Sequence, residues 1–184
     1  MGAMERAALD ATHRRLLERF RKVMNLVGPG SIGVHFEDCA SALSGLKATG
    51  AWVDLGSGAG FPGLVLAARC PEATFELVDS RQKRCAFLEQ VVGEAEATGV
   101  TVTCARVEDL ASASYDGVTA RAFAAPDEVL DQARRLLRPG GRAVLFLQED
   151  GEVPDAADFE VELDNHYTVE GKRRRGVVLR ARQA

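Results

Sequence analysis

An α/β fold, a mostly parallel sheet with helices packed on it and an antiparallel hairpin at its C-terminal end, is predicted by three observations. From Ala51 onward short β-rich runs alternate with helical runs, the order that builds parallel strands joined by crossover helices. A glycine-rich turn, "DLGSGAGFPG" (Asp54 to Gly63), links the first β-rich run to a helical one. The last two β-rich runs have no helical pattern between them, and without a crossover two strands pair antiparallel.

The N-terminal segment places Leu9, Leu16, Leu17, Phe20, Val23 and Met24 at helical spacing with arginines on its other faces, so it reads as an amphipathic helix. "NLVGPGSIG" (Asn25 to Gly33) interrupts it with Gly-Pro-Gly chemistry. A second helix is expected from His35 to Leu46, with Phe36, Cys39, Ala40 and Leu43 on one stripe. The strands expected next are "AWVDL" (51–55), "TFELVD" (74–79), "VTVTCA" (100–105), "GVTAR" (117–121) and "RAVLFL" (142–147). Helices should begin at Pro62, at Arg81 and at Asp127, the last of them stopped by "RPGG" (Arg138 to Gly141). "FEVEL" (159–163) and "GVVLRAR" (176–182) would form the terminal hairpin. At 184 residues the whole chain, 1–184, is expected to be one domain, residues 1–50 a helical flank and 51–184 the α/β core.

The composition, 46% hydrophobic and 27% charged, is that of an ordinary globular protein. No apolar run reaches the roughly 18 residues that span a bilayer, and the first residues lack the apolar stretch of a secretion signal. A cytoplasmic, membrane-free and monomeric protein is therefore expected. Cys39, Cys70, Cys85 and Cys104 are widely and irregularly spaced, and His13, His35 and His166 are as scattered. Neither a metal site nor a Cys/His nucleophile pair is indicated.

Net charge is −4, but its distribution is uneven. Residues 148–170 hold nine acids and no Lys or Arg, leaving 23 bases against 18 acids in the remainder. Basic clusters stand at Arg14, Arg15, Arg19, Arg21 and Lys22, at Arg81, Lys83 and Arg84, at Arg134, Arg135, Arg138 and Arg142, and at "KRRR" (Lys172 to Arg175). A polyanion has surface to dock on, though any single cluster taken alone reads more readily as a solvated face.

The glycine turn fits two cofactors. Gly58, Gly60 and Gly63 spell the GxGxxG of dinucleotide sites, and Asp54, Gly56, Gly58 and Gly60 spell the acid-first pattern of S-adenosylmethionine (SAM) enzymes. In both, the missing Cβ atoms let backbone lie against the ligand. A dinucleotide sets its pyrophosphate at the helix N-terminus, where a carboxylate is unwelcome, whereas SAM carries a sulfonium and an ammonium that Asp54 would attract. Asp54 therefore favours SAM, and Gly63 would serve close packing of helix on sheet. Asp79, 19 residues after Gly60 at a strand end, suits ribose hydroxyls in either case, or the capping of the helix that follows. Glu108, after the third strand, is the candidate for adenine. The closing hairpin is the ending of the class I methyltransferase (Rossmann-like) sheet.

The blocks "DLGSGAGFPGLVLA", "FELVDSRQKRCAFLEQVV", "ARVEDL" and "YDGVTARAFA" resemble consecutive blocks of the glucose-inhibited division protein B (RsmG) family, which methylates N7 of a guanine in 16S ribosomal RNA. The resemblance extends from about Asn25 to Leu147. It implies SAM contacts from Gly56 and Phe61, from Val107 and Glu108, and from Arg121 in "ARAF". Taken from the residues alone, Arg121 stands where a methionine carboxylate, an RNA phosphate or a structural carboxylate would all suit it. The implied substrate is ribosomal RNA or the small ribosomal subunit, docked through Arg15, Arg19, Arg84 and the run Lys172, Arg173, Arg174 and Arg175. Guanine N7 has a free lone pair, so no general base is needed and no catalytic side chain is expected. The chain departs from the family at Phe20, where Trp is usual, and at Gln148 and Glu149, where a Lys-Gly pair is common. Methylation of another RNA or of a small molecule, and less so NAD(P)-dependent oxidoreduction, are the alternatives.

Overall fold

The computed structural model describes residues 1–182, with the elements α1 (Ala3–Met24), α2 (Gly33–Ala42), β1 (Gly50–Leu55), α3 (Gly63–Arg69), β2 (Ala73–Asp79), α4 (Gln82–Glu94), β3 (Val100–Cys104), β4 (Tyr115–Ala120), α5 (Pro126–Leu136), β5 (Leu137–Gln148), β6 (Phe159–Val169) and β7 (Lys172–Ala181). The strands form a single sheet in the order β3-β2-β1-β4-β5-β7-β6. β1 to β5 run parallel, and β7 pairs antiparallel with both β5 and β6. Reversal of strand order at β1 and β4 opens a crevice at their carboxyl ends, where ligands of such sheets bind.

Side chains alternate across this sheet, so each strand feeds two cores. One holds Trp52, Phe75, Leu77, Val144 and Val178 under α1 to α4; the other holds Val53, Leu55, Val118 and Leu145 under α5. Two strand glycines allow close approaches. A Cβ on Gly117 of β4 would lie 2.1 Å from the Trp52 indole, and one on Gly176 of β7 would lie 2.6 Å from Ala42 of α2. The side-chain amide of Asn165 on β6 donates to the carbonyls of Ala42 and Ser44, finishing α2.

Several expected boundaries move. α2 occupies Gly33–Ala42 rather than 35–46, because Leu43 to Gly45 turn where Asn165 meets the Ala42 and Ser44 carbonyls. α5 stops at Leu136, and the "RPGG" expected to end it belongs to the early part of β5. The hairpin strands are longer than expected. They run through to a two-residue turn at Glu170 and Gly171, with φ of 46° and 72°, the left-handed pair of a tight hairpin. "KRRR" therefore lies on a strand. No helix of the described residues is long and apolar enough to cross a membrane.

Candidate cofactor cleft

β1 ends at Leu55, and the next seven residues reverse the chain into α3. Gly56, Gly58 and Gly60 take φ of 64°, 53° and 89°, a region that costs glycine almost nothing and other residues strain. The loop is held by Ser57 N–H to the Val78 carbonyl at 2.9 Å, Gly60 N–H to the Ser57 carbonyl at 2.7 Å, and the Ser57 hydroxyl to the Asp54 carbonyl at 2.9 Å. His13 of α1 reaches it from outside, its Nε2 lying 2.7 Å from the Ala59 carbonyl. Burial pushes the His13 pKa down to about 4, so the neutral ring donates this bond.

Asp79 joins the loop to the next strand. Its Oδ2 accepts from Gly58 N–H at 3.0 Å and its Oδ1 from Arg81 N–H at 2.9 Å, while Arg84 Nη1 stands 3.4 Å from Oδ2. The same carboxylate thus starts α4 and closes the floor of a cleft of about 470 Å³ that also takes in Gly56, Arg106, Val107, Glu108 and Phe123. Val107 and Glu108 sit on a 3₁₀ turn after β3 (Val107–Asp109). Arg135 of α5 clamps that turn by donating to the Val107 and Leu110 carbonyls at 2.6 and 2.7 Å. A narrower recess of about 140 Å³ continues past Gly58 to Phe61 and Arg121.

Arg121 is tied in three ways. Its Nη1 donates to Asp38 Oδ2 at 2.9 Å, its Nη2 lies 3.4 Å from His35 Nδ1, and its guanidinium stands 4.7 Å over the Phe61 ring. The structural carboxylate that the sequence left open is therefore Asp38, and Arg121 also lines the recess.

Asp54 is placed differently from the expectation that it faces a cationic ligand. Its side chain is fully buried beneath the loop, Oδ2 accepting from Gly63 N–H at 3.1 Å, and it lines neither cleft nor recess. The α3 backbone, set low over β1 by Gly63, covers it. Desolvation raises its pKa to about 7, and Asp54 Oδ1 and the hydroxyl of Thr119, opposite it on β4, find no partner among the described residues.

The remaining basic residues divide. Arg84 lies at the cleft. Arg15 pairs with Glu94 at 2.5 Å, and Arg19 stacks on Phe20, away from the loop. Within "KRRR", Arg173 pairs with Glu149 and Arg175 with Asp164, each at 2.7 Å. Acids of the 148–170 run answer arginines of neighbouring elements: Glu162 takes Arg142 and Asp158 takes Arg134. Phe123 and Arg135 were not singled out as site residues. The signal for Phe123 was a large apolar side chain just past a strand's carboxyl end, where 38% of it stays exposed.

A family model described as rRNA small subunit methyltransferase G (GidB) matches residues 11–173. Ribosomal RNA small subunit methyltransferase G of Coxiella burnetii (strain Dugway 5J108-111) is 39% identical over 135 residues, 71% of this chain and 66% of that protein. The protein of the same name from Paracoccus denitrificans is 32% identical over 166 residues, 86% of each chain. The match thus spans just under two thirds of the Coxiella relative and more of the Paracoccus one. Among solved structures, a putative methyltransferase of Escherichia coli, yhhF, superposes with a TM-score of 0.64 at 16% identity, covering 86% of this chain and 90% of that one. Aeropyrum pernix fibrillarin, in complex with natively bound S-adenosyl-L-methionine, gives 0.59 at 15% identity over 79% and 76%. At such identities the likeness establishes the fold, which is the class I methyltransferase sheet.

Proposed function

The chain belongs to the rRNA small subunit methyltransferase G (GidB) family, and from that premise we propose that it transfers a methyl group from SAM to N7 of a guanine in 16S ribosomal RNA. The observation that carries the cofactor reading is the cradle itself. Three glycines stand in left-handed conformation over a carboxylate, Asp79, that has no cation closer than Arg84 at 3.4 Å, and a Cβ on Gly56 would meet Phe123 at 2.6 Å. Such a site suits an uncharged ribose more than a pyrophosphate.

In this reading Asp79 accepts the ribose hydroxyls, and Val107 and Glu108 border the adenine, with Phe123 covering it. The recess takes the methionine end, lying along Gly56, Gly58 and Phe61 with Gly60 shaping the turn between them, and Arg121 offers its remaining N–H donors to the carboxylate. Asp54 acts from below by holding Gly63, and through it the loop. SAM supplies an electrophilic methyl on sulfur. N7 of guanine attacks with its own lone pair, and no proton leaves in that step. The protein's part is to align the two reactants and exclude water, which suffices for large rate gains. A ribosomal substrate would place the protein in the cytoplasm.

Calorimetry with S-adenosylhomocysteine and with NAD(H) tests the cofactor. Binding of S-adenosylhomocysteine alone is expected, and binding of NAD(H) alone overturns the reading. Methyl transfer from labelled SAM to small ribosomal subunits from a strain lacking the protein tests the acceptor, with the label expected as 7-methylguanine.

A further inference from the structure

We infer that the groove between the end of α1 and the start of α4 is the path by which the RNA backbone reaches the cleft, and that the "KRRR" strand is not. The inference rests on the RNA methyltransferase reading. One part of the groove is lined by Arg21, Lys22, Val27 and the Gly28 to Gly30 loop, the other by Arg81, Lys83 and Arg84, and Asn25 belongs to both.

The groove joins the cofactor site at three residues. Arg84 lines the groove, the cleft and the recess, Arg81 lines the groove and the cleft, and Val27 lines the groove and the recess. Its wall is built in advance. Asn25 ends α1 in left-handed conformation at φ 50° and ψ 46°, Leu26 N–H donates to the Arg21 carbonyl at 3.2 Å, and the Arg21 guanidinium donates to the Gly30 carbonyl.

Charge selects the occupant. Among the described residues five cations line the groove and no acid does. Arg21 pairs with Glu18 and Arg84 with Asp79, but Lys22, Arg81 and Lys83 are exposed and form no ion pair among the described residues. At the hairpin Arg173 and Arg175 face Glu149 and Asp164, the adjoining turn carries Glu170, and only Lys172 and Arg174 form no ion pair among the described residues. A strand of phosphates is drawn more strongly to the first surface, which no acid lines, than to the second. Among the described residues no aromatic lines the groove, so it grips backbone and does not read bases. An A-form helix hides N7 in a major groove too narrow for side chains. The strand that lies here is therefore single, its phosphates on Lys22, Arg81 and Lys83, with the target base passing Val27 and Arg84 toward the recess.

The test measures binding of protein-free 16S RNA by wild type, K22Q/K83Q and K172Q/R174Q across a salt series, with S-adenosylhomocysteine calorimetry on each. K22Q/K83Q should bind RNA several-fold more weakly, its salt dependence (log K against log salt) shallower by roughly 1.4, about 0.7 for each phosphate contact removed. Its S-adenosylhomocysteine affinity should match wild type. An unchanged affinity and slope in K22Q/K83Q, or a loss confined to K172Q/R174Q, overturns the path while wild-type methylation of the RNA leaves the function standing. If wild type neither binds nor methylates RNA, both readings fall together.

Discussion

Asp38 holds Arg121 at the mouth of the recess. Its Oδ2 accepts from Arg121 Nη1 at 2.9 Å, and its Oδ1 accepts the Tyr167 hydroxyl at 2.9 Å. The two charged side chains are only 19% and 16% exposed, so the pair is shielded from water and its geometry is worth more than that of a surface bridge. α2 and β6 thereby reach across to a residue at the end of β4 and set the direction of its guanidinium.

Removing the charge of Asp38 should release Arg121. A hydrogen bond to a charged group is worth about 2 kcal/mol, so Asp38→Asn is expected to weaken S-adenosylhomocysteine binding by up to about thirtyfold, approaching Arg121→Ala. Tyr167→Phe leaves the ion pair intact and should cost less. Calorimetry on the three variants checks the order, and wild-type affinity in Asp38→Asn would show that Arg121 needs no such support.

Two glycine-to-alanine changes should move stability in opposite directions. At Gly63 a Cβ would lie 2.4 Å from Leu77 Cδ2 and 2.6 Å from Asp54 Oδ2, overpacking that costs about 1–3 kcal/mol. At Gly93, exposed within α4, it would meet nothing within 4 Å, and alanine gains up to about 1 kcal/mol there by helix propensity. Thermal melts should show Gly63→Ala lowered by several degrees and Gly93→Ala level or raised. A Gly63→Ala protein as stable as wild type would mean that α3 rides over β1 with room to spare.

How far the sequence could be read follows from what each feature depends on. The strands β1 to β4 and their helices were legible because period and glycine placement are local properties. Asp79 and Glu108 were legible as site candidates because a strand's carboxyl end is an address in the sequence. The burial of Asp54 was not: it depends on α3 settling low over the sheet with α1 and α2 above it, which no pattern around residue 54 records. The same holds for Arg134, Arg135, Arg138 and Arg142. They read as a basic cluster, yet fold onto Asp158, two carbonyls of the 3₁₀ turn, Asp116 and Glu162. The length of the hairpin escaped for another reason. Glu170 takes a left-handed turn position that favours Asn or Gly, so the usual turn signature was missing.

Stability against pH should expose two buried groups under the loop that work in opposite senses. His13 titrates near its ordinary 6.5 when unfolded and at about 4 in the fold, and Asp54 near 3.8 when unfolded and at about 7 in the fold. Between about pH 4 and 6.5 the unfolded chain holds more proton at His13, so that residue's contribution is present above 6.5 and is lost as pH falls toward 4. Over the same range the folded chain holds more proton at Asp54, so its contribution is full below about 4 and is lost as pH rises toward 7. Each amounts to a few kcal/mol at full amplitude, and in wild type they largely cancel. His13→Gln removes one and should leave a protein that loses stability from pH 4.5 to 7. Asp54→Asn removes the other and should leave one that gains stability from pH 4.5 to 6.5. Urea midpoints for the three proteins across that range would show the crossing slopes, and three parallel curves would mean that neither group is as enclosed as the packing of α1 and α3 makes it. Gln can still donate to the Ala59 carbonyl and Asn can still accept from Gly63 N–H, so both variants keep the loop's hydrogen bonds while the charge that titrates is gone.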